Sequence, residues 1–181
     1  MSLSTGRIGA VVGVAGVAVG ALLAGSQGAL AGHANPVLAT DLDGRQEVAT
    51  GATNRRIVGD PNATGEAYVF GVDGDPARAK LCYVLLADKL AGTESAPGAP
   101  RAAHIHRGAA GTNGPVVVNL AWPQGGQAAD CFSLGDTRGG NPVFVNGGTP
   151  AEIFDNPGGF YVNVHNADYP AGAIRGQLAA R

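Results

Sequence analysis

Residues 160–165 read Phe-Tyr-Val-Asn-Val-His, and three apolar residues alternate there with Tyr161, Asn163 and His165. Successive side chains of a β-strand point to opposite faces of the sheet. The alternation therefore predicts a strand with an apolar face on the core and a tyrosine, an asparagine and a histidine together on the other face. The same kind of alternation predicts further strands in the rest of the chain.

Short apolar or alternating segments recur along the sequence, separated by Gly, Pro, Asn and Asp. No segment has the sustained 3.6-residue apolar period of an amphipathic helix. About eight short strands predict an all-β protein, an antiparallel β-sandwich or barrel. The predicted strands are 37–42, 63–72, 79–87, 102–107, 115–120, 130–134, 160–165 and 173–178.

One short helix is predicted near 149–155. Thr149, Pro150 and Glu152 occupy the N-cap, N1 and N3 positions of a capping box, and Pro157 ends the helix within about two turns. Between two predicted strands, Asn113-Gly114 has the composition of a tight hairpin turn, because both residues tolerate positive φ.

The composition excludes several classes of protein. The 181 residues include 30 Gly and 11 Pro, only 14% are charged, and the net charge is −2. A glycine-rich chain with so little charge is unlike a helical bundle or a charged disordered tail. The nearly balanced charge gives no basic field, so we predict no nucleic-acid partner.

Residues 1–31 have the three parts of a secretory signal peptide. Arg7 is the only charge before an apolar stretch, and Ala29-Leu30-Ala31 gives an A-x-A cleavage site. The alternative, a membrane anchor, is disfavoured by the short, glycine-rich stretch. We expect a short N-terminal segment at 32–37, a β domain at 38–181 and no membrane span in the mature protein, which would be secreted or held at the cell envelope.

The only two cysteines, Cys82 and Cys131, lie in predicted strands. In an exported domain such a pair usually forms a disulfide, and we predict one here. A metal or redox pair is the alternative, but the two residues are far apart and no C-x-x-C motif is present.

Three histidines form a candidate metal site. His104 and His106 are two apart in a predicted strand, so both imidazoles face one side, and His165 joins them if its strand is a neighbour. Three imidazoles suit Cu or Zn, with Asn166 or Asp168 as a possible oxygen contact. The alternative is a polar network of His, Asn and Tyr that only fixes loop geometry.

A second pair is predicted to be structural. Arg175 lies on the polar face of the last predicted strand, and a partly buried guanidinium requires a partner. Glu47 is the candidate, because the first and last strands of a sandwich often pair. We therefore predict an ion pair between Glu47 and Arg175.

The sequence lacks the G-x-S-x-G, P-loop and H-E-x-x-H motifs of common enzymes. No residue is assigned a catalytic role. The missing motifs favour a non-catalytic protein, and whether the protein is an enzyme stays open.

Several blocks resemble the CHRD domain, a β-rich module of extracellular and exported proteins. They are Ala103-His104-Ile105-His106-Arg107-Gly108, Asn113-Gly114-Pro115-Val116-Val117, Tyr161-Val162-Asn163-Val164-His165 and Ile174-Arg175-Gly176-Gln177-Leu178. The resemblance spans about 38–180. It implies an exported module that binds an extracellular or cell-envelope ligand, which the sequence does not identify.

The His-x-His strand with a distant histidine is also similar to copper–zinc superoxide dismutase. That family requires more histidine ligands and an aspartate for zinc, which this chain lacks. Two interpretations therefore remain: a non-catalytic extracellular binding or cell-surface interaction module, or a Cu- or Zn-binding protein that uses His104, His106 and His165, with redox activity left open.

Overall fold

A computed structural model of the chain describes residues 35–51, 56–72, 74–75, 77–90 and 103–181. The predicted signal peptide at 1–31 and residues 32–34 of the 32–37 segment lie outside the described residues, and both segments stay predictions. No helix in these ranges is long and apolar enough to cross a membrane.

The described chain is almost entirely β structure, which confirms the predicted all-β class. All eight predicted strands are present, with ends that differ by a few residues. The strands are β1 (Val37–Asp43), β2 (Thr64–Phe70), β3 (Lys80–Asp88), β4 (Ala103–Arg107), β5 (Val116–Leu120), β6 (Gln127–Ser133), β7 (Thr137–Arg138), β8 (Asn141–Pro142), β9 (Phe160–Val164), β10 (Ile174–Gln177) and β11 (Ala179–Ala180).

One antiparallel sheet contains nearly all of these strands. Its order is β5-β4-β9-β10-β1-β2-β3-β6, and β11 also pairs with β1. After β6 the chain forms the small β7–β8 hairpin and then reaches the other edge of the sheet. There the amide of Asn119 in β5 donates to Val143 (2.9 Å), and the amide of Val145 donates to Val117 (3.0 Å). The sheet is therefore nearly closed, and its β5 edge is covered.

The core forms on the apolar side of the alternating strands. Ile105, Val162, Val164 and Ile174 are fully buried there, as the alternation in β4, β9 and β10 predicts. The opposite, polar face of these strands is buried too: every residue of β9 lies inside the protein. The fold thus has a second buried layer, which is polar.

The predicted helix is α1 (Pro150–Asp155), with Thr149 as its N-cap. The Thr149 hydroxyl accepts a hydrogen bond from the amide of Glu152 (3.2 Å). The Glu152 carboxylate binds the guanidinium of Arg107 (2.8 and 3.0 Å), so it links the helix to β4. Ile153 and Phe154 are buried and complete the core at this end of the sheet.

The predicted tight turn at Asn113-Gly114 is wrong in its form. Residues 108–115 make a longer connection between β4 and β5, and the positive φ occurs at Gly111. Glycine is required at 114 for a different reason: a Cβ there would overlap the carbonyl oxygen of Arg107. The close approach of two backbones, not the turn conformation, selects this glycine.

A disulfide joins Cys82 and Cys131. The two residues lie directly opposite each other in the antiparallel pair β3–β6. The bridge closes a segment with a sequence separation of 49 residues. It holds the β6 edge strand to the sheet, at the far end of the strand order from β4 and β9.

We expect the loss of this disulfide to destabilise the protein. Replacing both cysteines, as Cys82→Ala with Cys131→Ala, should lower the free energy of unfolding by about 3–4 kcal/mol, because the unfolded chain regains the entropy that the cross-link removes. Urea denaturation of the oxidised wild type and the double variant measures the difference. Reduced wild type should match the variant; equal midpoints for oxidised and reduced wild type would contradict the prediction.

Candidate functional site

Three histidines meet in the buried polar layer. β4 and β9 are neighbours, with His104 opposite Asn163 and His106 opposite Tyr161, and His165 directly follows β9. The ring centroids are 5.4 Å apart for His104 and His106, 5.1 Å for His104 and His165, and 6.1 Å for His106 and His165. One candidate ligand nitrogen from each residue lies within 4.8 Å of the others. The structure therefore brings the three predicted residues together.

Backbone carbonyl groups orient two of the three rings. His106 Nδ1 is 2.9 Å from the carbonyl oxygen of Gly114, and His165 Nδ1 is 3.2 Å from that of Pro170. A carbonyl oxygen only accepts, so each Nδ1 carries the proton and each Nε2 has a lone pair. Both Nε2 atoms are buried and have no hydrogen-bond partner among the described residues.

Burial keeps these imidazoles neutral at pH 7. It lowers the pKa of His106 to about 4, against the smaller opposing effect of the Gly114 hydrogen bond, and the charges of His165 and Arg175 lower it further. Burial also lowers the pKa of His165. Neutral imidazole is the form that binds metal ions, so no proton has to leave these rings first.

A stacked column crosses the three strands beside the cluster. Tyr161, in the middle strand β9, stacks on His106 with the ring centroids 4.8 Å apart and the planes within 8°. The guanidinium carbon of Arg175, in β10, lies 3.4 Å from the centroid of the Tyr161 ring. The hydroxyl of Tyr161 accepts a hydrogen bond from the amide of Gly114 (3.2 Å). The column fixes the position of the His106 ring.

Arg175 also holds the 108–115 connection over the polar face. Its guanidinium donates to the carbonyl of Thr112 (2.7 Å) and to Oδ1 of Asn113 (3.2 Å). The Asn113 amide then donates to the carbonyls of Val48 (3.1 Å) and Ala49 (3.3 Å). Two separate segments of chain are thereby joined above the sheet.

Glu47 lies in the same layer but forms its hydrogen bond with Asn163, whose side-chain amide donates to Oε2 at 3.4 Å. Arg175 and Glu47 interact electrostatically. Burial lowers the pKa of Arg175 and raises that of Glu47, and the attraction between the two opposite charges opposes both shifts. The hydrogen bonds of Arg175 go to Thr112 and Asn113. The direct Glu47–Arg175 ion pair stays a prediction.

Burial is the largest influence on Glu47. It raises the pKa of Glu47 to about 8, although Arg175 and the Asn163 hydrogen bond oppose the shift. Within the described part of the chain, Oε1 of Glu47 and Oδ1 of Asn163 are buried without hydrogen-bond partners. At these two atoms the layer has hydrogen-bonding capacity that no described residue uses.

Sequence reasoning placed Tyr161, Asn163 and His165 on one face and missed the atoms that orient the rings. The carbonyls of Gly114 and Pro170 have no side-chain signature. Asn166, a suggested oxygen contact for a metal, accepts a hydrogen bond from the amide of Tyr169 (2.7 Å) and closes the turn after β9, while Asp168 is exposed. The three-residue cluster includes neither of them.

Fold and site together define a small antiparallel β domain whose second face is a buried histidine-containing layer. A family model for the CHRD domain matches residues 38–178. The chain belongs to the CHRD domain family, as the motifs in β4, β9 and β10 indicated. Comparison with the curated proteins and with the solved structures finds no match.

We expect Gly114→Ala to disrupt the site through the backbone. The added methyl group would overlap the Arg107 carbonyl, so the 108–115 connection must move away from His106 and Tyr161. The unfolding free energy should fall by about 3 kcal/mol, at the upper end for overpacking. Chemical denaturation measures the loss. Gly158→Ala is the matched control, because a Cβ there meets nothing within 4 Å; equal stabilities for both variants would refute the steric account.

The lowered pKa of His106 predicts a loss of stability in acid. Below pH 6.5 the unfolded chain binds a proton at this residue that the folded chain does not bind until about pH 4. Wild type should therefore lose about 3 kcal/mol relative to His106→Phe as the pH falls from 6.5 to 4. His165 and Glu47 titrate in both proteins, so most of the difference between the two profiles comes from His106. Urea denaturation across this range tests it; parallel pH profiles would contradict it.

Proposed function

We propose that this protein is an exported binding module built around a Cu or Zn ion held by His104, His106 and His165. The observation that carries the proposal is the arrangement of His106 and His165. Each donates Nδ1–H to a backbone carbonyl and directs a buried lone pair at Nε2 into the layer. Metal-binding histidines typically have such a partner on the other ring nitrogen.

The distances support metal binding after a small contraction. Nitrogen ligands at 2.0–2.1 Å in a tetrahedral zinc site are about 3.4 Å apart. The candidate nitrogens here lie within 4.8 Å, so the longest separation must shorten by about 1.4 Å. His165 follows β9 and is the least buried of the three histidines, so rotation of its ring supplies this movement most easily.

Three histidine ligands suit zinc and copper and leave a further coordination position. An external ligand, or water, would occupy it. This supports a binding role, and it assigns no catalytic residue. Copper redox chemistry of the superoxide-dismutase type is to be assayed only if stoichiometric copper is found.

Two observations support export. Residues 1–31 have the composition of a signal peptide. The Cys82–Cys131 disulfide is typical of proteins that fold in an oxidising compartment. We expect a partner or ligand outside the cell because the chain belongs to the CHRD domain family.

Metal titration of the folded, oxidised, untagged protein tests the proposal. Elemental analysis after reconstitution with Zn²⁺ or Cu²⁺ should find one ion per chain. In calorimetric titration, His104→Ala and His165→Gln should each weaken Zn²⁺ binding at least about 100-fold, because two imidazoles remain.

His33→Ala is the matched control, since it removes the remaining histidine of the chain and leaves the three proposed ligands. Its Zn²⁺ affinity should equal that of wild type. Substoichiometric metal in wild type, or an affinity unchanged by His104→Ala, would rule out the site and leave the polar-network interpretation.

A further inference from the structure

The three proposed histidine ligands bring no negative charge to the site. Neutral imidazoles leave the full charge of a bound divalent ion in a buried layer. Arg175, only 2% exposed, already places a guanidinium there and acts electrostatically on His106. A buried charge is costly unless an opposite charge lies near it.

Two carboxylates are buried in the described part of the chain, those of Glu47 and Asp60. The Asp60 carboxylate accepts a hydrogen bond from the amide of Asn62 (2.9 Å), within its own loop. Glu47 is linked to the site instead. Its partner Asn163 lies opposite His104 across β4–β9 and opposite Arg175 across β9–β10.

The surroundings of Glu47 hold its carboxyl group in place. A Cβ at Gly172 would overlap the carboxylate, and one at Gly59 would lie 2.6 Å from its Cγ. Gly172 has φ of +138°, a backbone conformation that favours glycine. Two close backbone contacts therefore position a side chain whose Oε1 has no hydrogen-bond partner among the described residues.

We propose that Glu47 is the counter-charge of the metal site, and that binding of a divalent ion releases one proton from its carboxyl group to solvent. This inference rests on the proposed function and adds a residue to it. The ion enters, the O–H bond of Glu47 breaks, the electron pair stays on the carboxylate, and the proton leaves. No oxidation occurs. Asn163 is the positioning residue between the carboxylate and the imidazoles.

The electrostatics of the layer agree with this coupling. With its pKa raised to about 8, Glu47 is mostly protonated at pH 7 and has a proton to lose. Arg175 in β10 is the charged group that acts on it electrostatically, and His104 and His106 lie in β4, opposite Asn163 and Tyr161 of β9. The lowered pKa values of His106 and His165 mean that those rings have almost no proton to release at pH 7.

Calorimetric titration of the full-length protein with Zn²⁺ at pH 7, in buffers of different ionisation enthalpy, counts the protons released. Wild type should release about one proton more per ion than Glu47→Gln. The variant should bind Zn²⁺ at least about tenfold more weakly, the usual range for a residue that supports the ligands. Glu66→Gln is the matched control, since it removes an exposed carboxylate on β2.

A wild-type measurement covers the case in which Glu47→Gln does not fold. Proton release should fall between pH 7 and pH 9, because Glu47 is then already ionised before the metal binds. Equal proton release at both pH values, or equal proton release by wild type and Glu47→Gln, would overturn the role of Glu47 as counter-charge. The proposed function would still stand in that case if Zn²⁺ binding depends on His104. If wild type binds no Zn²⁺, both proposals fail.

Discussion

Burial of the Arg175 guanidinium is the constraint on which the polar half of this fold depends. Arginine keeps its charge in proteins, so a buried arginine must find partners for its N–H groups. Here the partners are the Tyr161 ring, the Thr112 carbonyl and Asn113 Oδ1. These bonds hold the 108–115 connection over β9 and β10. The Gly114 carbonyl thereby reaches His106, so the arginine indirectly sets the tautomer of a candidate metal ligand.

The sheet therefore separates two unlike interiors. On one side Ile105, Val162 and Ile174 form an apolar core whose stability follows from removing their surface from water. On the other side the same strands carry imidazole, phenol, amide and guanidinium groups, whose burial is favourable only where each finds a partner. The second interior specifies geometry more strictly than the first, since hydrogen bonds have direction and apolar contacts do not.

The fold could be predicted because it depends on the alternation of apolar and polar residues and on turn-forming Gly, Pro, Asn and Asp, which are local properties of the sequence. The strand ends were harder. β6 begins at Gln127, opposite Leu86, because pairing with β3 extends the strand through Ala128 and Ala129, which have little intrinsic preference for β structure. Thr149 and Pro150 marked the start of α1 correctly, since capping is also local.

The site could be predicted only in part, because only some of the contacts that form it follow from local sequence. Two histidines at alternate positions of one strand must share a face, and the neighbouring β9 follows from the fold. Burial of that face could not be predicted, because it depends on two distant loops. The carbonyls of Gly114 and Pro170 belong to residues with no ligating side chain. Glu47 was associated with Arg175 from the expected strand pairing, but its bond to Asn163 depends on how the residues after β1 fold back over the sheet.

Ligand orientation and fold stability are coupled in this layer, because the same hydrogen bonds serve both. The carbonyls that hold Nδ1 of His106 and His165 belong to the β4–β5 and β9–β10 connections. A metal ion that draws the Nε2 atoms together would pull on both connections through these bonds. Movement of either connection would in turn misalign a ligand. Metal affinity and the stability of these two connections would then change together, since an ion that binds only the folded arrangement stabilises it by mass action.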